Sequence, residues 1–171
     1  MFKIGDYVSY RSEGVCKISD IRKENFGGGE GTTYYILAPV NDPKSTLFVP
    51  MDNERLIALM RPLLSANEIS ALCEELRSER MDWVEENRMR NNVFREILSE
   101  GDRRKLIVLL NTVTERMEAQ VAAGKRILGT DLNAANRAAQ LLLEEFSATA
   151  ELSSAEELLA LLKGEKTVCS K

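Results

Sequence analysis

The chain has 171 residues, 44% of them hydrophobic and 29% charged, proportions that support a buried core and exclude global disorder. Its formal net charge is −4, so no overall basic field draws it onto a duplex, and any nucleic-acid contact must come from a local patch. The absence of histidine removes the usual general base, the commonest metal ligand and the neutral-pH switch at once.

Cys16, Cys73 and Cys169 are far apart and form no C-x-x-C pair, which speaks against zinc and dithiol redox chemistry. They read as reduced thiols of a cytosolic protein, Cys16 and Cys73 in cores and Cys169 in a tail. The N-terminus shows no secretory signal, and no run is long and apolar enough to span a bilayer. We expect a cytoplasmic protein without membrane association.

The first fifteen residues organise the N-terminal third. Apolar and polar residues roughly alternate from Phe2 to Val8, with a turn at Gly5-Asp6, the pattern of a strand buried on one face. Gly14 breaks the run, and Val15 to Ile21 resumes it as a second strand. Glu24 to Gly31 holds four glycines and must be a loop. It leads into strand-forming Thr32 to Leu37 rather than a helix, so it is a hairpin loop and not a phosphate cradle. Ser45 to Val49 forms the next strand, stopped by Pro50, and Leu56 to Met60 is a candidate last strand. Four or five short strands at this spacing predict a small antiparallel barrel.

The pattern changes at Pro62. Ser65 and Glu68 form a capping box before Ile69, Leu72 and Leu76 at helical spacing. A second helix is expected from Glu79 to Ser99, ending at Gly101. Asp102 caps a third, with Leu106, Leu109, Leu110, Val113 and Met117 on its apolar face. Gly124 and Gly129 bracket a connector. Thr130 or Asp131 caps a fourth helix, whose core face holds Leu132, Ala135, Ala139, Leu142 and Phe146. Ser153 and Ser154 cap a fifth through Leu162. Residues 164–171 read as a frayed tail. The fold class is α+β: a β domain over residues 1–60, then an all-helical bundle over residues 61–171.

The only tryptophan, Trp83, stands before a polar, arginine-bearing run. It is either a plug that seals a helix onto its neighbours or a deliberately exposed aromatic, and composition favours the plug. On a continuous helix, positions 83, 87, 90 and 94 share a face. Trp83, Asn87 and Arg90 would then present one aromatic and two hydrogen-bonding tips, a trio suited to a groove edge. The competing reading is a solvated face whose arginines pair with Glu85, Glu86 and Glu96.

Phe2-Lys3-Ile4-Gly5-Asp6-Tyr7-Val8-Ser9-Tyr10, Gly14-Val15, Tyr34-Tyr35-Ile36-Leu37 and Val49-Pro50 resemble the N-terminal domain of CarD/CdnL-type bacterial transcription regulators. That domain also occurs in the transcription-repair coupling factor. The resemblance extends to Trp83 and Ser99-Glu100-Gly101-Asp102. It implies a Tudor-like β-barrel that binds the RNA polymerase β subunit by pairing a sheet edge with it. It also implies a helical domain lying on promoter DNA, with the tryptophan wedged in the minor groove at the upstream edge of the bubble. Strand addition needs little side-chain identity, and a tethered module needs only weak DNA affinity, which reconciles an acidic protein with a DNA-contacting role.

Three departures from the family matter. Glu13 stands where a histidine is frequent, Phe48 where a basic residue often contacts polymerase, and Glu85 and Glu86 where relatives carry phosphate-binding arginines. The resemblance implies polymerase contact through Arg22, Lys23, Thr46, Leu47, Phe48 and Val49, and DNA contact through Trp83, Asn87, Arg88 and Arg90. The resulting expectation is a monomeric, nucleoid-associated transcription regulator that stabilises the open complex, with no enzymatic activity, cofactor or metal. The alternative is a polymerase- or protein-binding adaptor that never touches DNA. An enzyme is disfavoured because no nucleophile elbow, metal-ligand spacing or phosphate loop is present.

Overall fold

Alternating side chains and tight turns in the N-terminal third fold into one antiparallel sheet of five strands. They are β1 (Tyr7–Tyr10), β2 (Val15–Glu24), β3 (Thr32–Pro39), β4 (Leu47–Pro50) and β5 (Met60–Pro62). The computed structural model describes residues 1–26 and 30–171; Gly27–Gly29, at the centre of the expected glycine loop, lie outside the described residues. The strand order is β4-β3-β2-β1-β5.

The sheet is open. Among the described residues β4 and β5 do not pair with each other, so the expected closure into a barrel is not seen. The reason lies in the edge strands. Each has four residues or fewer and ends on a proline, Pro50 or Pro62, whose missing N–H falls on the outward side, so neither can donate there to the other edge. Val8, Tyr10, Cys16, Ile18, Tyr35, Leu37, Val49 and Met60 form the core on one face of the sheet.

Two local expectations change. Residues before Tyr7 are not strand: Gly5 turns at φ 95°, and its N–H donates to Ile18 O at 2.8 Å. The segment expected as a last strand is instead helix α1 (Glu54–Ala58), capped by the Asn53 side chain accepting from Leu56 N–H. Leu56 and Ile57 pack against the sheet core from this helix. The last strand follows it, and this carries the first unit to Leu63 rather than to residue 60.

The second unit, Leu64–Lys171, packs five helices around one core: α2 (Ala66–Leu76), α3 (Asn87–Glu100), α4 (Arg103–Ala122), α5 (Gly129–Phe146) and α6 (Ala155–Lys163). The capping box at Ser65 and Glu68 forms as its spacing requires. Gly101 ends α3 at φ 62°, a conformation that favours glycine, and Asp102 caps α4. Ala134, Ala135, Ala138 and Ala139 keep the inner face of α5 slim, and α4 and α5 make the most extensive helix pair. Among the described residues no helix is long and apolar enough to cross a membrane.

Three helical expectations are corrected. The helix expected from Glu79 begins only at Asn87, because Glu86 caps it, its carboxylate accepting from the N–H groups of Arg88 and Met89. Helix α5 starts at Gly129 without a side-chain cap, Asp131 having turned inward to Arg90, and Leu132 is exposed. The tail is not frayed. Val168 is 9% exposed, Lys171 N–H donates to Thr149 O, and Glu151 N–H donates to Cys169 O.

Glu157 holds both ends of this return. Its carboxylate binds Lys166 and accepts from the Ser153 N–H and hydroxyl, each at 2.8 Å. Lys166 first, then the two Ser153 donors, lower its pKa from 4.5 to about 2. The folded value lies below the unfolded one, so this contribution is complete above pH 4.5 and is lost as pH falls through about 2. We expect amide-exchange protection of residues 166–171 to decline over that window, measured by hydrogen exchange. Protection unchanged at the acid end would assign the tail's order to Val168 and the main-chain bonds with Thr149 and Glu151 instead.

A candidate docking edge and a tryptophan cage

The β4 edge is set by the ladder beside it. Leu47, Phe48, Val49 and Pro50 stand opposite Leu37, Ile36, Tyr35 and Tyr34. Met51 N–H donates to Thr33 O at 2.8 Å, which fixes the alternation. Leu47 and Val49 therefore bond to β3, while Phe48 turns its main-chain N–H and C=O to the free edge. Among the described residues nothing in the chain meets them. The opposite edge is less available, since Pro62 has no N–H to offer.

Side chains divide by the same parity. Val49 is buried and Leu47 packs against the sheet core, so neither offers its side chain to a partner. Lys23 lies on the core-face register with Thr33, not beside Arg22. Arg22, Tyr34 and Phe48 share the outer face, and Thr46 directly precedes the strand. Arg22 is engaged by two carboxylates of its own strand, Asp20 at 3.3 Å and Glu24 at 2.6 Å. Phe48 is 38% exposed and meets Phe26 and Tyr34 edge-on, with centroids 5.2 and 6.1 Å away. Phe26 closes the triad on Tyr34 at 5.5 Å. Beneath it Ile36, opposite Phe48, is buried although it lies outside the sheet core.

Residues 2–64 match the family described as CarD-like/TRCF RID domain. The N-terminal unit is a CarD-like RNA polymerase-interacting domain. No curated protein matches the chain. An RID domain is a protein-interaction module. Among the described residues no cluster of carboxylates and thiols is placed to hold a metal ion.

In the helical unit the expected trio is rearranged. Trp83 is not helical; it lies in the extended segment between α2 and α3. Arg90 is 2% exposed, and all five of its N–H groups find acceptors. Nε and Nη2 donate to the two Asp131 oxygens at 3.0 and 3.2 Å. Nη1 donates to the Val84 and Glu85 carbonyls at 2.8 and 3.1 Å, and Nη2 also donates to Asn87 Oδ1 at 2.6 Å. Arg90 thus has every donor engaged within the fold, and the exposed Asn87 gives its carbonyl oxygen to Arg90. Of the four residues expected to face DNA, Asn87 and Arg88 are exposed, Trp83 is partly buried and Arg90 is buried.

Trp83 sits in a cage. The Arg90 and Arg116 guanidinium carbons lie over its ring, 4.6 and 5.0 Å from the centroid, and Phe94 meets it edge-on at 6.3 Å. Arg116 is held in turn by Glu85 at 3.0 Å. Met81 N–H donates to Thr112 Oγ1 at 3.0 Å, and Arg80 pairs with Glu115 at 2.6 Å, so the extended segment is strapped to α4 along its length.

Asp131 and Arg116 were not foreseen as members of this site. Asp131 lies 41 residues from Arg90, and an acidic residue in the first turn of a helix reads equally well as a cap. We expect Asp131→Asn to leave a buried guanidinium without its counter-charge and to destabilise the unit by about 3 kcal/mol. Urea unfolding measures the loss, and Trp83 emission, the only tryptophan signal, should shift to the red in the folded variant.

Proposed function

We propose that this protein is a non-enzymatic transcription regulator that docks on the RNA polymerase β subunit by adding a polymerase strand to the β4 edge. The observation that carries this reading is the unmet main-chain pair of Phe48, on an exposed edge of a domain matching the RNA polymerase-interacting family. Strand addition needs one N–H and one C=O at every second residue, and Phe48, with Thr46 before it, supplies that spacing.

The helical unit then works near the melted bubble, where its attachment to a polymerase-bound domain raises its effective concentration. Trp83 is the group that meets the promoter, with the exposed Arg88 as a phosphate partner. Arg90 and Asn87 contribute by holding Trp83 and the start of α3 in place rather than by touching DNA. In this role the protein stabilises the open complex.

A second reading, the adaptor without DNA contact, is favoured by one observation. The indole is already packed on Phe94 and two guanidinium groups, beside the exposed Glu85 and Glu86. Trp83→Ala separates the two. The regulator reading expects intact polymerase binding and a shortened open-complex lifetime on a promoter with an unstable bubble. The adaptor reading expects an unchanged lifetime.

The docking edge has its own test. Phe48→Ala and Phe48→Pro both remove the ring, but only proline removes the outward N–H, and an outward N–H carries no ladder bond. We expect the proline variant of the full chain to bind RNA polymerase about tenfold more weakly than the alanine variant, measured by surface titration. Equal affinities would remove β4 as the docking strand.

A further inference from the structure

Resting on the β4 docking reading, we infer that the aromatic triad Phe26, Tyr34 and Phe48 selects the partner strand, and that it takes an extended RNA polymerase segment presenting apolar side chains at alternate positions. A strand added to β4 brings every second side chain onto the outer face, directly across from Phe48. What waits there is apolar: Phe48 and the 68% exposed Phe26, linked edge-on to Tyr34.

Charge offers a partner strand little at this place. The cation nearest the triad in register, Arg22 across from Tyr34, is bracketed by Asp20 and Glu24, so two carboxylates stand against one guanidinium. An acidic segment would have to displace an intramolecular carboxylate to reach Arg22, and would meet the other one at close range. A neutral, apolar side chain meets no such competition and removes exposed ring surface from water. Main-chain pairing thus supplies a general affinity for strands, and the triad distinguishes an apolar strand from an acidic one.

The experiment titrates full-length Phe26→Ala, Arg22→Gln and Phe48→Pro against RNA polymerase. Phe26 and Arg22 are exposed and outside the sheet core, and circular dichroism confirms that each variant is folded. Phe26→Ala should weaken binding about tenfold, whereas Arg22→Gln should stay within about twofold. The affinity of the parent chain should change little between about 0.1 and about 0.5 M salt. A larger loss for Arg22→Gln than for Phe26→Ala, or a steep fall with salt, overturns the inference and makes ion pairing the selector. Loss of binding in Phe48→Pro with full binding in Phe26→Ala also overturns it, while leaving the docking reading standing. Wild-type affinity in Phe48→Pro removes both.

Discussion

Two buried ion pairs tie the helical unit together, Arg103 with Glu145 and Arg90 with Asp131, and the second sets the region around Trp83. The segment that carries Trp83 has no secondary structure of its own, and its carbonyls at Val84 and Glu85 would be unsatisfied if the chain merely passed by. The Arg90 guanidinium resolves this because its five donors form a rigid fork. Two point along α5 to Asp131, and three reach back to the turn before α3. A lysine there would offer three donors without the plane that stacks on the indole. The same guanidinium therefore fixes the entry to α3, the α3–α5 contact and the position of Trp83. A charge removed so fully from water is costly unless each donor is met, and here each one is.

The sheet is governed by a different constraint, the termination of its edges by proline. Pro50 and Pro62 end β4 and β5 and remove a donor from the outward side of each, which leaves the sheet open. Edge strands of this kind normally resist pairing with other chains, and short length and proline are two common ways to achieve it. The β4 edge keeps a single unprotected position, Phe48, between a turn and a proline. Its restricted length limits an added strand to a few main-chain bonds, which shifts the burden of discrimination to side chains. The exposed aromatics on the adjoining face lie where that burden falls.

Much of this architecture was legible in the chain. Alternation over Val15 to Ile21 and Thr32 to Leu37, and the capping residues Ser65, Asp102 and Ser154, are local signals, and they lie where the structure uses them. The failures share a cause. Glu79 to Glu86 has helical propensity, but non-local bonds from Arg90, Thr112 and Arg116 hold it extended, and Glu86 caps a later start. Helical spacing put Trp83, Asn87 and Arg90 on one face. They do come together, but through a turn in which Arg90 faces inward. Likewise Leu56 and Ile57 looked like strand because β-branching and apolarity do not distinguish a strand from one helical turn capped by Asn53.

The distribution of charge gives both units a common logic. A chain with net charge −4 has enough carboxylates to engage most of its own cations. Arg77 meets Glu74, Arg104 meets Glu75, Lys105 meets Glu100 and Lys163 meets Glu118, all at the surface. Such exposed pairs add little to stability, but they cancel the near field that would otherwise draw in an anionic partner. Long-range attraction is thus a poor device for this protein, and contact has to be made at short range. The sheet has the means in an unmet main-chain pair under a cluster of rings. Under the proposed function, the partly covered indole and the exposed Arg88 of the helical unit meet DNA only when something else has already brought it close. That reading lets an acidic chain act beside a polyanion without accumulating on DNA at large, since the sheet and not the net charge would read its address.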